Sequence, residues 1–305
     1  MRRQPWRHTC AAWARSPLTQ RGPSRPDIEG NLMEKQAKKP PGATRAVPDW
    51  LSLEGAAAVV TGGGTHLGQA MAAALAELGA AVYLLGRRAD VVQASAAALR
   101  ARGLDAHAVS ADAADESAVE RVVQDIMRTH GRLDVMVCNA GGAFGTAMAP
   151  HIPVADLQAT LRQNVTTTLV CAQSAARAMM PRRQGAIITI GSTHAALGSD
   201  PRLYAPGYQR STQSYHAAKG AILNLTRALA CELAQYDITV NCLSPGQIPK
   251  PELNAFTREN FRNMVPLGRL GEPRDLNGAV ALFASPAGRW ITGQNLTVDG
   301  GWSAW

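Results

Sequence analysis

Paired cysteines and long apolar runs are both missing from this 305-residue sequence. Its five cysteines show no disulfide or metal-ligand spacing, and four of them lie inside apolar strand or helix patterns: Cys138, Cys171, Cys231 and Cys242. They are therefore predicted to be buried thiols of a reducing compartment, which favours a cytoplasmic protein with no bound metal. No stretch has the unbroken apolar length of a transmembrane helix, so no membrane partner is predicted.

Basic side chains outnumber acidic ones mainly in residues 1–50, which carry most of the net charge of +8. Residues 1–32 contain six Arg against two acidic side chains, for +4, and residues 33–50 add +2. Only +2 remains for residues 51–305, so the main part of the chain is nearly neutral. Nucleic acid is therefore not a predicted partner.

Residues 1–50 hold several Pro and Arg with little apolar periodicity, which predicts a basic, disordered extension before one domain over residues 51–305. The Arg-rich, acid-poor start is compatible with a transit peptide. We favour the alternative that Met33 is the true start, in which case the first 32 residues are upstream sequence.

The organising stretch is an apolar run over residues 57–60, followed by a glycine cluster and an Ala/Leu-rich segment with helical spacing. Strand, glycine turn and helix in that order begin a βαβ unit that binds phosphate groups. A plain surface turn is the alternative, but the flanking elements favour nucleotide binding. The predicted contacts in this turn are Gly62, Gly64, Thr65, His66 and Leu67.

Short apolar segments then alternate with helical patterns along the chain. Further strands are predicted at residues 81–85, 106–109, 135–138, 186–190, 238–243 and 295–298. Helices are predicted at residues 90–102, 116–130, about 154–180, 215–235 and about 273–284. Strands this short and uniformly apolar indicate an α/β fold, a single doubly wound parallel sheet of Rossmann type with helices on both faces. Ligands of such sheets bind beyond the carboxyl ends of the strands.

The end of the second predicted strand indicates which dinucleotide is bound. A sheet that prefers NAD usually offers a carboxylate there, whereas this one offers Gly86 and then Arg87 and Arg88. Two guanidiniums can pair with a 2′-phosphate, so NADP is favoured over NAD. The nearest acid, Asp90, is better explained as a helix N-cap.

Tyr215 and Lys219 are four residues apart at the start of a predicted helix, so both side chains can serve one cavity. A nearby cation stabilises a phenolate and so lowers the pKa of a tyrosine. Ser192 follows a strand, where it either hydrogen-bonds a substrate oxygen or forms a turn. Asn164 is a polar residue in an apolar helix pattern, either a satisfied core amide or a water-holding group.

These motifs resemble the short-chain dehydrogenase/reductase family over residues 53–301, most closely members that act on sugar acids and polyols. The motifs that carry the resemblance are Thr61-Gly62-x-x-x-His66-x-Gly68, Asp112, Asn139-Ala140-Gly141, Asn164, Ser192, Tyr215-x-x-x-Lys219, Pro245-Gly246 and Val298-Asp299-Gly300-Gly301. The resemblance implies an NAD(P)-dependent enzyme that interconverts a carbonyl and a secondary alcohol.

The resemblance also implies residue roles. Tyr215 is the general acid–base, Lys219 lowers its pKa and binds the nicotinamide ribose, and Ser192 orients the substrate oxygen. Asn164 holds a water that links Lys219 to solvent. The remaining cofactor contacts are the adenine-flanking Asp112 and Ala113, the ribose-supporting Asn139, Ala140 and Gly141, and the nicotinamide-lining Pro245, Gly246 and Ile248.

Three features depart from the family pattern. His66 replaces the middle glycine of the loop, where it either donates to a phosphate or points outward. Lys250 occupies a position usually held by Thr. Ser192 and Tyr215 are 23 residues apart, a wider spacing than usual, because of a polar insert at residues 198–214. Tyr204 and Tyr208 in that insert lack the partner lysine, so Tyr215 keeps the acid–base role.

The substrate is predicted to be a small carbonyl or alcohol, such as a sugar acid or polyol. His194, Arg202, Arg210 and Gln247 are candidate substrate contacts, although Arg202 equally fits a solvated loop charge. A 3-oxoacyl reductase and a catalytically silent nucleotide-binding regulator are the alternatives. The two long alanine-rich helices, together with the family's habit of pairing them, predict a homodimer or homotetramer.

Overall fold

A computed structural model describes residues 47–305. Most of the predicted extension, including Met33, therefore lies outside the described residues. Seven parallel strands form one sheet in the order β3-β2-β1-β4-β5-β6-β7. They are β1 (Ala57–Thr61), β2 (Ala81–Gly86), β3 (Ala106–Ser110), β4 (Val135–Cys138), β5 (Gly185–Ile190), β6 (Ile238–Pro245) and β7 (Asn295–Val298).

Within residues 47–305, eight α-helices connect and follow the strands. They are α1 (His66–Glu77), α2 (Ala89–Arg100), α3 (Glu116–His130), α4 (Val154–Leu161), α5 (Thr167–Met179), α6 (Gln213–Leu233), α7 (Ala255–Met264) and α8 (Asn277–Ala284). The predicted doubly wound sheet is confirmed, with apolar cores on both faces. One core includes side chains of α1, α2 and α8, and the other includes side chains of α3, α5 and α6.

The helix predicted over residues 154–180 is interrupted. A π-helical turn at Arg162–Thr166 separates α4 from α5. Within it, the Asn164 amide donates to the Thr160 carbonyl at 2.8 Å, and the Thr167 hydroxyl donates to the Arg162 carbonyl at 3.2 Å. Such turns insert one extra residue into a helix and are frequent at functional sites.

Three further features of the structure differ from the sequence-based predictions. Helix α7 has no counterpart in the predicted elements, because only Thr257 and Phe261 of its residues are buried. Asp90 was expected to cap α2, but Arg88 occupies the N-cap and Asp90 lies in the first turn. Cys231 is exposed rather than buried, since it lies on the outer side of α6.

The strand order reverses between β1 and β4, which are neighbours at the centre of the sheet. Loops that leave two such strands separate to opposite sides, and the crevice between them is where ligands bind. Gly62 follows β1 and Asn139 follows β4 at this crevice. The sheet therefore gathers the predicted site residues along its carboxyl edge.

Candidate active site

The glycine turn after β1 is fixed by side chains at the ends of β1 and β4. Asn139 Nδ2 donates to the carbonyls of Thr61 at 2.9 Å and Gly62 at 3.3 Å. The Thr61 hydroxyl accepts from the Ala140 N–H at 2.9 Å. Gly62 has a φ of 64°, and a Cβ on Gly68 would lie 2.7 Å from Asn139 Nδ2. Both positions thus need glycine, and the turn forms a tight cradle at the start of α1.

A cavity of about 320 Å³ lies on the α2 side of this turn. Its lining brings together Gly62, Gly64, Thr65, Gly86, Arg87, Arg88, Asp112, Ala113, Ala140 and Gly141. Arg87 and Arg88 are exposed, and neither forms an ion pair within residues 47–305. The glycine cradle and two unpaired guanidiniums fit the adenosine and phosphate end of a dinucleotide.

His66 adopts the backbone conformation of a glycine, with a φ of 48°. Burial lowers the pKa of His66, while the nearby backbone of Pro249 opposes this shift. Lys250 also lowers this pKa and Glu252 raises it, so the imidazole faces the loop after β6. The side chain therefore links the glycine turn to the loop that follows β6.

A second cavity, of about 680 Å³, adjoins the first and shares Gly62, Thr65, Ala140 and Gly141 with it. It brings together the predicted catalytic and nicotinamide-side residues His66, Leu67, Asn139, Ser192, His194, Tyr215, Lys219, Pro245, Gly246, Gln247 and Ile248. Together the two cavities run along the crevice from Arg87 to Tyr215.

Tyr215 is half-buried near the start of α6. Burial raises the pKa of Tyr215, and the nearby Ser192 side chain partly opposes this shift. A pKa lowered by Lys219 was expected, so this direction is opposite to the prediction. Lys219 Nζ lies 5.5 Å from the centre of the phenol ring. The side chain is thus a protonated phenol at neutral pH.

Lys219 is 5% exposed, and its Nζ donates to the Ile190 carbonyl at 2.8 Å. Burial lowers the pKa of Lys219 to about 8, with a small opposing effect of Cys242. The ammonium group has three donor hydrogens, so further acceptors in the cavity can be bound.

Ser192 forms the turn considered for it and also lines the larger cavity, while its contact with a substrate oxygen stays a prediction. Its hydroxyl accepts from the His194 N–H at 3.1 Å, which forms the turn after β5. The same side chain interacts with Tyr215 and lines the cavity. A hydroxyl can accept one hydrogen bond and still donate another.

Asn164 is fully buried, and its amide is satisfied by backbone groups. Nδ2 donates to the carbonyls of Gly142 at 2.5 Å and Thr160 at 2.8 Å, and Oδ1 accepts from the Gly142 N–H at 3.3 Å. The residue therefore fixes the loop after β4. Its expected link to Lys219 through water stays a prediction.

The candidate substrate residues separate into two groups. His194 and Gln247 line the larger cavity, whereas Arg202 and Arg210 do not. Arg202 pairs with Asp200 at 2.7 Å, and its side chain is 87% exposed. Burial lowers the pKa of His194 to about 4, so this imidazole is neutral.

Several cavity-lining side chains were not predicted from the sequence. Tyr204, Tyr208 and Gln209 come from the insert, Leu253 lies before α7, and Phe261 lies on α7. The tyrosines were noticed only as rivals of Tyr215. Their position between Ser192 and Tyr215 along the chain was the available signal for a place in the cavity.

Neither a metal-binding cluster nor a membrane-spanning helix is found among residues 47–305. No group of three or more His, Cys, Asp or Glu side chains is placed to hold a metal ion. No helix in this part of the chain has both the length and the apolar character needed to cross a membrane.

The fold and site define a dinucleotide-binding oxidoreductase, and comparisons with known proteins agree. A family model described as enoyl-(acyl carrier protein) reductase matches residues 64–303. The chain belongs to the short-chain dehydrogenase/reductase family, whose members are oxidoreductases that act on CH–OH groups.

Three similar proteins illustrate the range of relatives. A cis-4-hydroxycyclohexanecarboxylate dehydrogenase from Sinomonas cyclohexanicum is 36% identical, over 81% of this chain and 96% of that protein. A 3-oxoacyl-(acyl-carrier-protein) reductase from Synechocystis sp. is 31% identical, over 82% of this chain and 98% of that protein. A gluconate 5-dehydrogenase from Burkholderia cenocepacia J2315, solved with NADP and tartrate, is 30% identical with a TM-score of 0.76, over 84% of this chain and 98% of that chain.

Proposed function

We propose that the protein is an NADP-dependent enzyme that interconverts a ketone and a secondary alcohol, with Tyr215 as the general acid–base. The observation that carries this proposal is the convergence of Tyr215, Ser192 and Lys219 on one cavity that continues into a dinucleotide-sized crevice. A catalytically silent regulator has no need for such a convergence.

The nicotinamide cofactor supplies or accepts a hydride when it is bound. In the reducing direction, the Tyr215 phenol donates its proton to the carbonyl oxygen of the substrate. Ser192 donates a hydrogen bond to the same oxygen and stabilises its developing charge. The Lys219 ammonium then stabilises the phenolate that remains. In the oxidising direction the phenolate removes the hydroxyl proton.

The protonation state of Tyr215 suits the reducing direction at neutral pH. A phenol has a pKa of about 10 and keeps its proton at neutral pH, so it can act as the acid. Alcohol oxidation requires the deprotonated phenol and should therefore be faster at alkaline pH.

The preference for NADP rests on Arg87 and Arg88 at the end of β2. Both line the smaller cavity without an acidic partner in the described chain, and a 2′-phosphate would supply that partner. The gluconate 5-dehydrogenase solved with NADP is consistent with this choice, since that relative carries NADP itself.

The names of the relatives differ in substrate class. They include a carbocyclic hydroxy acid, an acyl-carrier-protein thioester and gluconate, so a sugar acid and a 3-oxoacyl group stay second candidates. Support for an acidic sugar is weakened because Arg202 and Arg210 lie outside the cavity.

The test is turnover of NADPH with a ketone panel, for the wild-type enzyme and Tyr215→Phe. General acid–base catalysis contributes about 10²–10⁴-fold, so turnover should fall by at least that order while NADPH affinity stays close to the wild-type value. Tyr236→Phe, which removes a hydroxyl just beyond the C-terminal end of α6, is the matched control. Retention of more than about a tenth of wild-type turnover in Tyr215→Phe would show that another residue is the acid.

We also propose that the protein is a homodimer or homotetramer. The support is the alanine-rich character of α5 and α6, which resembles the pairing helices of the family. Light scattering at micromolar concentration tests this, and a monomer would contradict it. The free cysteines Cys138, Cys171 and Cys242 support a reducing compartment such as the cytoplasm, which cell fractionation can check.

A further inference from the structure

The insert between Ser192 and Tyr215 is held against the larger cavity from two sides. On one side, the Ala205 N–H donates to the Thr257 hydroxyl at 3.0 Å, and Asn260 Nδ2 donates to the Leu203 carbonyl at 3.4 Å. On the other, Gln209 Nε2 donates to the Thr146 carbonyl at 3.3 Å. The insert therefore bridges α7 and the loop after β4, and forms a fixed wall of the cavity.

An aromatic row continues from this wall through Phe261 to the half-buried Trp302. The rings of Tyr208 and Tyr204 are nearly parallel, with centroids 6.3 Å apart and an interplanar angle of 24°. Tyr204 meets Phe261 edge to face at 5.2 Å, and Phe261 meets Trp302 in the same way at 5.4 Å. Phe261 is 5% exposed, so the inner part of the row is firmly packed.

Three members of the row line the cavity that contains Ser192 and Tyr215, namely Tyr204, Tyr208 and Phe261. Leu253 and Ile248 add aliphatic surface to the same cavity. Flat aromatic faces stabilise a flat or chair-shaped apolar ring by burial and by contact with its C–H groups. An extended chain of hydroxyl groups would instead need a matching set of fixed polar partners.

The charged groups near the wall do not favour an acidic polyol. Arg202 is paired with Asp200 and lies outside the cavity. Lys250 and Glu252 line the cavity with opposite charges, and His194 is neutral. Lys219 also lines the cavity, but its Nζ already donates to the Ile190 carbonyl and lies beside the Tyr215 ring.

We propose that the substrate is a carbocyclic ketone or the corresponding secondary alcohol, with its ring against Tyr204 and Tyr208. This inference rests on the proposed carbonyl–alcohol chemistry and adds the substrate class. The two tyrosines determine ring selectivity, while Ser192 and Tyr215 hold the reacting oxygen.

The first measurement compares kcat/KM with NADPH for 4-methylcyclohexanone, its open-chain counterpart 2-heptanone, and the polyhydroxy keto acid 5-ketogluconate. The cyclic ketone should be preferred by about tenfold or more, the scale at which hydrophobic pockets discriminate shape. Equal or better turnover of either other ketone would overturn the inference and leave the proposed chemistry intact. If no ketone turns over with either cofactor, both proposals fail.

The second measurement assigns the preference to the wall. Tyr204→Leu and Tyr208→Leu should each lower the cyclic to open-chain ratio of kcat/KM by about threefold to tenfold, through a higher KM for the cyclic ketone. Phe256→Leu removes an exposed aromatic ring from α7 outside the cavity and is the matched control. Tyr208 is 38% exposed, so its variant should fold even if Tyr204→Leu is unstable. An unchanged ratio in Tyr208→Leu would overturn the role of the wall.

Discussion

Asn139 donates a hydrogen bond of 2.9 Å to the carbonyl of Thr61, across the boundary between β4 and β1. This contact ties the end of one central strand to the start of the glycine turn on the other. The phosphate cradle is therefore shaped by a side chain from the neighbouring strand, as well as by its own glycines.

Asn139→Ala should lower the free energy of unfolding by about 1–3 kcal/mol, because buried carbonyls lose their donor. NADPH affinity should also fall, since the cradle is no longer held in place. Denaturant unfolding and cofactor titration measure the two effects. Gln235→Ala, which removes an exposed amide, is the control, and a variant with wild-type NADPH affinity would show that the contact does not shape the cradle.

Arg87→Ala should raise the KM for NADPH by at least about tenfold, because a charge-assisted contact contributes about 1.5–3 kcal/mol. The KM for NADH should hardly change, since NADH lacks the 2′-phosphate. Arg100→Ala, at the other end of α2, is the matched control. Equal effects on both cofactors, or a wild-type preference for NADH, would contradict the proposed selectivity.

Lys219→Met should stabilise the cofactor-free fold at neutral pH while weakening NADPH binding. The pKa of Lys219 is about 8 in the folded chain against 10.5 for a free side chain. Between these values the unfolded chain binds more protons, so the stability of the wild type rises with pH in that window.

The stability of the wild type relative to Lys219→Met should therefore increase by about 2 kcal/mol between about pH 7 and about pH 9.5. Urea unfolding of both proteins at the two pH values measures this difference. Lys250→Met, which removes an exposed lysine, is the control. A stability difference that stays constant between the two pH values would mean that burial does not shift the pKa of Lys219.

His66→Gly should leave overall stability within about 1 kcal/mol of wild type, because relief of a left-handed backbone offsets the greater freedom of glycine. The backbone of the loop at residues 247–253 should exchange its amide hydrogens faster, since the contact with Pro249 is lost. Arg183→Gly is the control, because Arg183 has a φ of 51° at a site remote from this loop. Identical exchange in the wild type and His66→Gly would rule out the link.

The parallel sheet was predictable because every central strand is uniformly apolar and buried on both faces, a pattern that few other structures share. The positions of Ser192 and Tyr215 follow from their place after β5 and at the start of α6. Helix α7 was missed because it packs mainly through Phe261, and one buried aromatic gives no periodicity.

Other features depend on contacts between residues far apart in sequence. Within the π-helical turn, the amide of Asn164 bonds to Gly142, far away in sequence, as well as to Thr160. The direction of the pKa shift of Tyr215 depends on how completely the fold removes it from water. Such effects of burial cannot be read from the spacing of Tyr215 and Lys219.

The insert lies between Ser192 and Tyr215 in the chain, yet its hydrogen bonds are made to α7 and to the loop after β4. The proposed reaction chemistry and the proposed substrate recognition thus belong to different segments of one polypeptide. An exchange of residues 198–211 for a loop of similar length offers a route to new selectivity while Ser192, Tyr215 and Lys219 stay in place. The choice of substrate and the transfer of the proton can then be engineered independently.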